Sequence, residues 1–218
     1  MSKVENFFKE YSVKSNKSYL FSGENNLSVD GSGVLPSINN QNAILIKPLI
    51  EKYITKETIW HLDLGCGVSW LSKILDGFEN IESYGLEGSN NLIPHFVHDK
   101  SKTMIFDLSR EFSDERLYKS FDITTSFELI EHVHRTHQLQ FWKNVTYLSN
   151  HHLCSIHVEN EEHDEHCTIN TPKVWEEIFE ELGIKYEVIF NFPIKEFDCS
   201  VFYFLTMPNK ITKTSNFR

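Results

Sequence analysis

Between residues 58 and 206 the chain switches repeatedly between two hydrophobic periods, and that alternation limits its fold more than any other feature. Apolar and β-branched runs predict strands at 58–64, 82–87, 103–107, 121–126, 152–158, 185–192 and 197–206. Helix-spaced apolar positions predict helices at 43–54, 69–76, 90–97, 136–149 and 172–182, with Pro48 near a boundary or kink of the first. Strands that alternate with helices pair in parallel through right-handed crossovers, so the expected fold is an α/β three-layer sandwich. Only "PIKE" separates the last two strands, too short for a crossover, and they are expected to form an antiparallel hairpin.

The flanks read differently. Residues 1–38 are polar apart from Phe7, Phe8, Tyr11, Tyr19 and Phe21, and they close on the loop-like "DGSGVLPSINN". We expect an N-terminal extension over 1–38, with a lid as one role open to it, a main domain over 39–207 and a polar tail over 208–218. A chain of 218 residues with 40% hydrophobic content suits one full core. The net charge of −10 and an isoelectric point near 5.5 make nucleic acid an unlikely dedicated partner, because phosphate binding draws on clustered Lys and Arg. Cys66, Cys154, Cys167 and Cys199 form no CxxC pair, which suits reduced thiols. No apolar run approaches the ~18–20 residues of a membrane helix, and the first twenty residues lack the apolar core of a signal peptide. A soluble, cytoplasmic protein without a membrane partner is expected.

The stretch "TIWHLDLGCGVSWLSKIL" then raises a chemical question. Glycine in regular structure costs roughly 0.5–1 kcal/mol relative to alanine, so Gly65 and Gly67 between a strand and a helix need a reason. In a doubly wound sheet, ligands sit at the carboxyl ends of the strands and the first strand-to-helix turn is the usual cradle, with N–H groups of the helix start available. A tight turn without ligand is the plainer alternative. A dinucleotide fingerprint would need glycine where Trp70 stands, which argues against nicotinamide or flavin dinucleotides. Glu87 closes the second strand, the place from which a carboxylate accepts hydrogen bonds from ribose hydroxyls.

Four segments together resemble the class I S-adenosylmethionine-dependent methyltransferases: "HLDLGCGVS", "SYGLEGS", "MIFDLS" and "FDITTSFELIEHV", in that order. The resemblance spans roughly residues 42–206. It implies a Rossmann-like sheet of seven strands in the order 3-2-1-4-5-7-6, the seventh antiparallel, and S-adenosyl-L-methionine as cofactor. It further implies that Asp63, Gly65, Cys66 and Gly67 surround the methionine moiety, that Glu87 and Gly88 serve the ribose, and that Asp107 and Leu108 serve the adenine. Ser126 and Phe127 would line the cofactor slot. Ser69 stands where the family usually has a third glycine, and as a good helix cap it is expected to alter a contact without abolishing the site.

On the acceptor side, "SFELIEHVHRTH" places Glu128, Glu131 and His132 just past the fourth strand. His132, with Glu131 beside it, is a candidate catalytic base for a hydroxyl acceptor, since imidazole titrates near neutrality. Ordering the loop is the plainer role for both. The i, i+3, i+4 spacing would put all three on one face of a helical turn, and E-x-x-E-H resembles the metal-dependent methyltransferases of small-RNA 3′-terminal ribose, with His163 and His166 in the region of a further ligand. The acidic charge weighs against that reading, and a site without metal is expected. "HCTINTPKVWEEIFEELGI" resembles a segment that follows the fifth strand in many small-molecule and sugar methyltransferases, which makes His166 and Asn170 candidates for the substrate wall. Trp175 and Phe179 in that segment fit the core face of a helix capped by Thr171 and Gly183. The expected function is methyl transfer to oxygen or nitrogen of a small-molecule or glycan-like acceptor. Metal-assisted RNA 2′-O-methylation and a cofactor-binding regulatory pseudoenzyme are the alternatives.

Overall fold

A computed structural model describes residues 2–15, 40–158, 168, 170–189 and 200–217. Seven strands form one sheet: β1 (Ile59–Leu64), β2 (Ile81–Glu87), β3 (Thr103–Ile105), β4 (Ile123–Phe127), β5 (His151–His157), β6 (Lys185–Val188) and β7 (Ser200–Thr206). Their order is β3-β2-β1-β4-β5-β7-β6, as the motifs implied. The first five pair in parallel, while β7 runs antiparallel to both β5 and β6. Helices α1 (Lys3–Tyr11), α2 (Asn40–Tyr53), α3 (Trp70–Leu75), α4 (Arg135–Leu148) and α5 (Pro172–Leu182) complete the described elements. Among the described residues no helix is long and apolar enough to cross a membrane.

Period-two alternation along the strands builds two cores. Leu62, Leu64, Tyr84, Leu86, Cys154 and Ile156 join Trp142 and Phe179 of α4 and α5 on one side of the sheet. Ile59, Ile81, Ile123, Phe127 and Leu153 join Ile46, Ile50 and Leu71 of α2 and α3 on the other. Trp175 and Phe179 are fully buried, and Gly183 ends α5 in the left-handed conformation at φ 71°, as the spacing predicted.

Several boundaries differ from the sequence reading for local reasons. The helix expected at 90–97 is a 3₁₀ segment, Asn90–His95, with Pro94 inside it, where the ring removes an N–H that an α-helix would use. Pro48 lies within α2 and not at its edge. The third strand ends at Ile105, so Asp107 stands in the loop beyond it.

The flanking segments also contribute to packing. Ser2 and Glu5 form a reciprocal capping box, the Ser2 hydroxyl accepting the Glu5 N–H at 3.0 Å, and this starts α1. Val4, Phe7 and Phe8 are then buried in the α4/α5-side core, with Phe8 4.5 Å from Tyr84 between ring centroids. The aromatics at 7 and 8 therefore do cover a sheet face, whereas Tyr19 and Phe21 lie outside the described residues. At the other end Ile211 is buried in the same core and Lys213 pairs with Glu181 of α5.

Full burial of a phenylalanine makes α1 testable. Phe8→Ala should cost roughly 3–5 kcal/mol of stability in urea unfolding, the usual range for such a truncation. A loss below about 0.5 kcal/mol would mean that α1 does not hold to the sheet in solution.

Candidate active site

The turn after β1 is built around three left-handed residues. Gly65, Gly67 and Ser69 have φ of 66°, 54° and 67°. At Gly65 the left-handed backbone itself favours glycine, and a Cβ there would also lie 2.6 Å from Leu129 Cδ1, so that side chain would have to shift. At Gly67 nothing lies within 4 Å of the same construction, so that backbone faces open space. Ser69 occupies the cap position of α3 but makes no side-chain cap hydrogen bond, contrary to the role expected for it. Its left-handed φ is the reason: the hydroxyl turns inward and sits 3.1 Å from Cys66 Sγ. A glycine would suit that backbone better.

Cys66 is buried, and its sulfur fills the space that a Cβ at Gly85 of β2 would need, 2.8 Å away. Burial pushes its thiol well up, with Glu87 and Asp63 adding to the effect. Glu87 ends β2 with its carboxylate fixed by the backbone. Oε2 accepts the Gly67 N–H at 2.9 Å and Oε1 the Ser89 N–H at 2.8 Å, while Gly88 N–H also favours the charged form. Burial nonetheless raises its pKa. Asp63 is 5% exposed and accepts the Thr125 hydroxyl at 2.7 Å. Burial, aided by the Glu87 charge, pushes it up to about 7.

Asp107 accepts the Ser109 N–H at 2.9 Å and pairs with Arg110 at 3.5 Å. The half-buried Leu108 gives its carbonyl to Asn144 Nδ2 of α4 at 2.9 Å. Asn144 also binds the Arg110 carbonyl at 2.7 Å and the Phe112 N–H at 3.0 Å, so one buried amide shapes the whole loop after β3. The side chains of Ser126 and Phe127 face the two cores. Ser126 Oγ lies 3.0 Å from His152 Nε2, and Phe127 packs toward Phe202. What the end of β4 presents at the turn is its backbone, together with Thr125.

Past β4 the backbone departs from the expected helical turn. Glu128 has φ 50° and only Ile130–His132 is helical, as a 3₁₀ turn. The i, i+3, i+4 argument therefore fails: His132 is exposed while Glu131 is fully buried. Glu128 is held by Ser155, whose hydroxyl donates to Oε1 at 2.6 Å, with His157 Nδ1 3.6 Å from Oε2. Neither oxygen of Glu131 has a hydrogen-bonding partner of good geometry among the described residues. Burial raises its pKa strongly, and the neighbouring Glu128 raises it further, which favours the neutral form of Glu131. Among the described residues no three His, Cys, Asp or Glu side chains converge as a metal cage. Asn170 is buried and accepts Arg135 Nη2 at 3.4 Å, while His163 and His166 lie outside the described residues. The Thr168 N–H donates to the Glu131 carbonyl at 3.0 Å, which ties the segment before α5 to the loop after β4.

Thr125, Asn144 and Arg135 belong to this geometry without having stood out in the sequence. Only a polar residue within an apolar strand or helix could have signalled the first two.

No family model matches the chain, and no curated protein matches it. Solved structures do. The methyltransferase domain of bacterial CtHen1 aligns at 18% identity and a TM-score of 0.55 over 78% of this chain and 100% of that one. An S-adenosylmethionine-dependent methyltransferase from Clostridium acetobutylicum aligns at 10% identity and 0.61 over 78% and 92%. The small RNA methyltransferase HEN1 aligns at 16% and 0.56 over 78% of this chain and 25% of that one. The fold is that of the S-adenosylmethionine-dependent methyltransferases, with the seven-stranded mixed sheet.

The neutral Glu131 has a pH signature. Its pKa lies above the ordinary 4.5 in the folded chain only, so folding binds a proton as pH climbs past the unfolded value, and stability falls with rising pH until the raised value is passed. Glu131→Gln removes that penalty. The stability gap between variant and parent in urea unfolding should favour the variant and widen between pH 6 and 8, by up to about 1.4 kcal/mol per pH unit. A constant gap would mean that Glu131 is ionised throughout.

Proposed function

We propose that the chain is an S-adenosylmethionine-dependent methyltransferase acting at oxygen or nitrogen of a small-molecule or glycan-like acceptor. The observation that carries this reading is the carboxylate of Glu87, fixed by N–H groups of Gly67 and Ser89 beside a glycine whose open side faces space. That arrangement lies between β2 and β1 at the carboxyl edge of the sheet, where β1 has β2 on one side and β4 on the other. Glu87 suits a ribose diol, Asp107 the adenine amino group, and Asp63 with the backbone of the 65–67 turn the methionine moiety.

Bound there, the cofactor supplies a methyl group on a sulfonium, whose charge disperses as the group is transferred. The chain's task is then alignment and exclusion of water. His132, exposed at the end of the loop after β4, takes the proton of a hydroxyl acceptor; Glu131 is buried beneath that loop and shapes it. Asn170, held by Arg135, and His166 belong to the substrate wall in this reading. The free, buried Cys66 and Cys154 fit a cytoplasmic setting.

One observation favours a second reading, metal-assisted RNA 2′-O-methylation. The neighbouring carboxyls of Glu131 and Glu128, once ionised, would be hard donors of the kind that hold Mg²⁺ or Mn²⁺, which would activate a ribose hydroxyl. Two of the aligned structures carry Hen1 in their names. Glu128 and Glu131 would hold the ion; His132, which the sequence grouped with them, is exposed.

Calorimetry with S-adenosylhomocysteine should show binding, weakened by on the order of 1–3 kcal/mol in Glu87→Ala. Unchanged affinity in that variant would place the ribose elsewhere. His132→Ala should lower turnover by roughly 10²–10⁴-fold with little change in cofactor affinity. Binding without turnover on any acceptor would favour the pseudoenzyme. Loss of activity on chelation with recovery on Mg²⁺ or Mn²⁺ would favour the RNA reading.

A further inference from the structure

Four buried side chains form one hydrogen-bonded line across β2, β1 and β4. Ser83 Oγ lies 2.7 Å from His61 Nδ1, His61 Nε2 lies 3.0 Å from Thr125 Oγ1, and Thr125 donates to Asp63 Oδ1 at 2.7 Å. The strand register produces the line, since Ser83 is paired with His61 and Thr125 with Asp63. Ser83, His61 and Thr125 are fully buried.

Proton accounting gives this line a direction. Thr125 has one proton, and an ionised Asp63 takes it, so Thr125 must accept from His61. His61 is then protonated at Nε2 and its Nδ1 accepts the Ser83 hydroxyl. Burial keeps the ring neutral, holding its pKa down to about 3. If Asp63 takes up a proton on Oδ1 and donates it to Thr125, the line can run the other way, with the ring's Nδ1–H donating to Ser83. With His61 donating to Thr125, the Thr125 proton is committed to Asp63 Oδ1, and a donor aimed at that oxygen favours the carboxylate.

We propose that His61 is a positioning residue: acting through Thr125, it holds Asp63 ionised and oriented for the ammonium of the cofactor's methionine moiety, so that protonation of one buried carboxyl sets cofactor affinity. The proposal rests on the cofactor reading above. Asp63 is poised for such control, being pushed up to about 7 by burial with Glu87 adding and Thr125 opposing. Among the described residues, the ionisable groups acting on the line are Glu87 at the end of β2, Cys66 in the turn, His98 and Asp76 near His61, and His152.

The test is calorimetric titration of the full chain with S-adenosylhomocysteine from pH 6 to 8.5. Parent affinity should be level at the upper end and fall toward tenfold per pH unit below about pH 7. Thr125→Val should move that bend upward by roughly one pH unit, the equivalent of one lost hydrogen bond to a charge, with affinity recovering at the upper end. Thr125→Ser should restore the parent profile. A merely structural role would instead lower affinity equally at every pH, and that result overturns the proposal, as does a flat parent profile. No binding by the parent at any pH would overturn the cofactor reading itself. Should Thr125→Val fail to fold, nitrogen NMR of His61 in the parent decides: Nε2–H with bare Nδ1 supports the relay, and the opposite tautomer or a charged ring at pH 8 overturns it.

Discussion

The carboxyl edge of the sheet depends on how tightly the turn from β1 to α3 is held between its neighbours. Leu129, beyond β4, packs against Gly65, where a Cβ would force its side chain to shift, and Cys66 reaches across to β2 into the space beside Gly85. The turn is thereby pinned on both sides before any ligand arrives, and Gly67 is the part of it left facing open space. Fixing the backbone in this way directs the Gly67 N–H onto Glu87, which in turn fixes the carboxylate. Pre-organisation of this kind lowers the ordering cost that a ligand meets on binding.

Three acids share the dry end of the sheet: Asp63, Glu87 and Glu131 all have pKa values raised by burial. They are handled differently. Glu87 keeps two backbone N–H donors, Asp63 keeps one hydroxyl, and Glu131 has none of good geometry. Each hydrogen bond to an ionised form offsets part of its desolvation. The end of the sheet thus places two carboxyls at the turn and a third, with a strongly raised pKa, deeper under the following loop. A ligand carrying positive charge gains most at the turn.

Strand and helix positions and the terminal hairpin were legible because they rest on periodicity and on connection length, which a sequence carries openly, while the sheet order was implied by the motif resemblance. Side-chain direction on β4 was less so. Motif position pointed to Ser126 and Phe127, yet the side chain that reaches Asp63 is Thr125, one step away on the opposite face of Ser126. The helical grouping of Glu128 with His132 failed for a different reason: Glu128 adopts φ 50°, and nothing about a glutamate announces a left-handed backbone. Helix α1 was within reach, since Ser2 and Glu5 have capping-box spacing, but a polar background around Phe7 and Phe8 disguised a core face.

The loop after β4 is braced from outside the sheet. Gln138 of α4 donates to the Ile130 and Val133 carbonyls at 3.5 and 3.2 Å, Thr168 donates to Glu131, and Arg135 reaches Asn170. The loop after β4 therefore takes its shape from α4 and from the segment that leads into α5. The turn after β1, by contrast, is shaped by strands β1, β2 and β4 and by backbone groups. Backbone geometry survives wide changes of sequence, whereas side-chain bracing does not. This division fits a chain that shares its fold with the reported structures at only 10–18% identity.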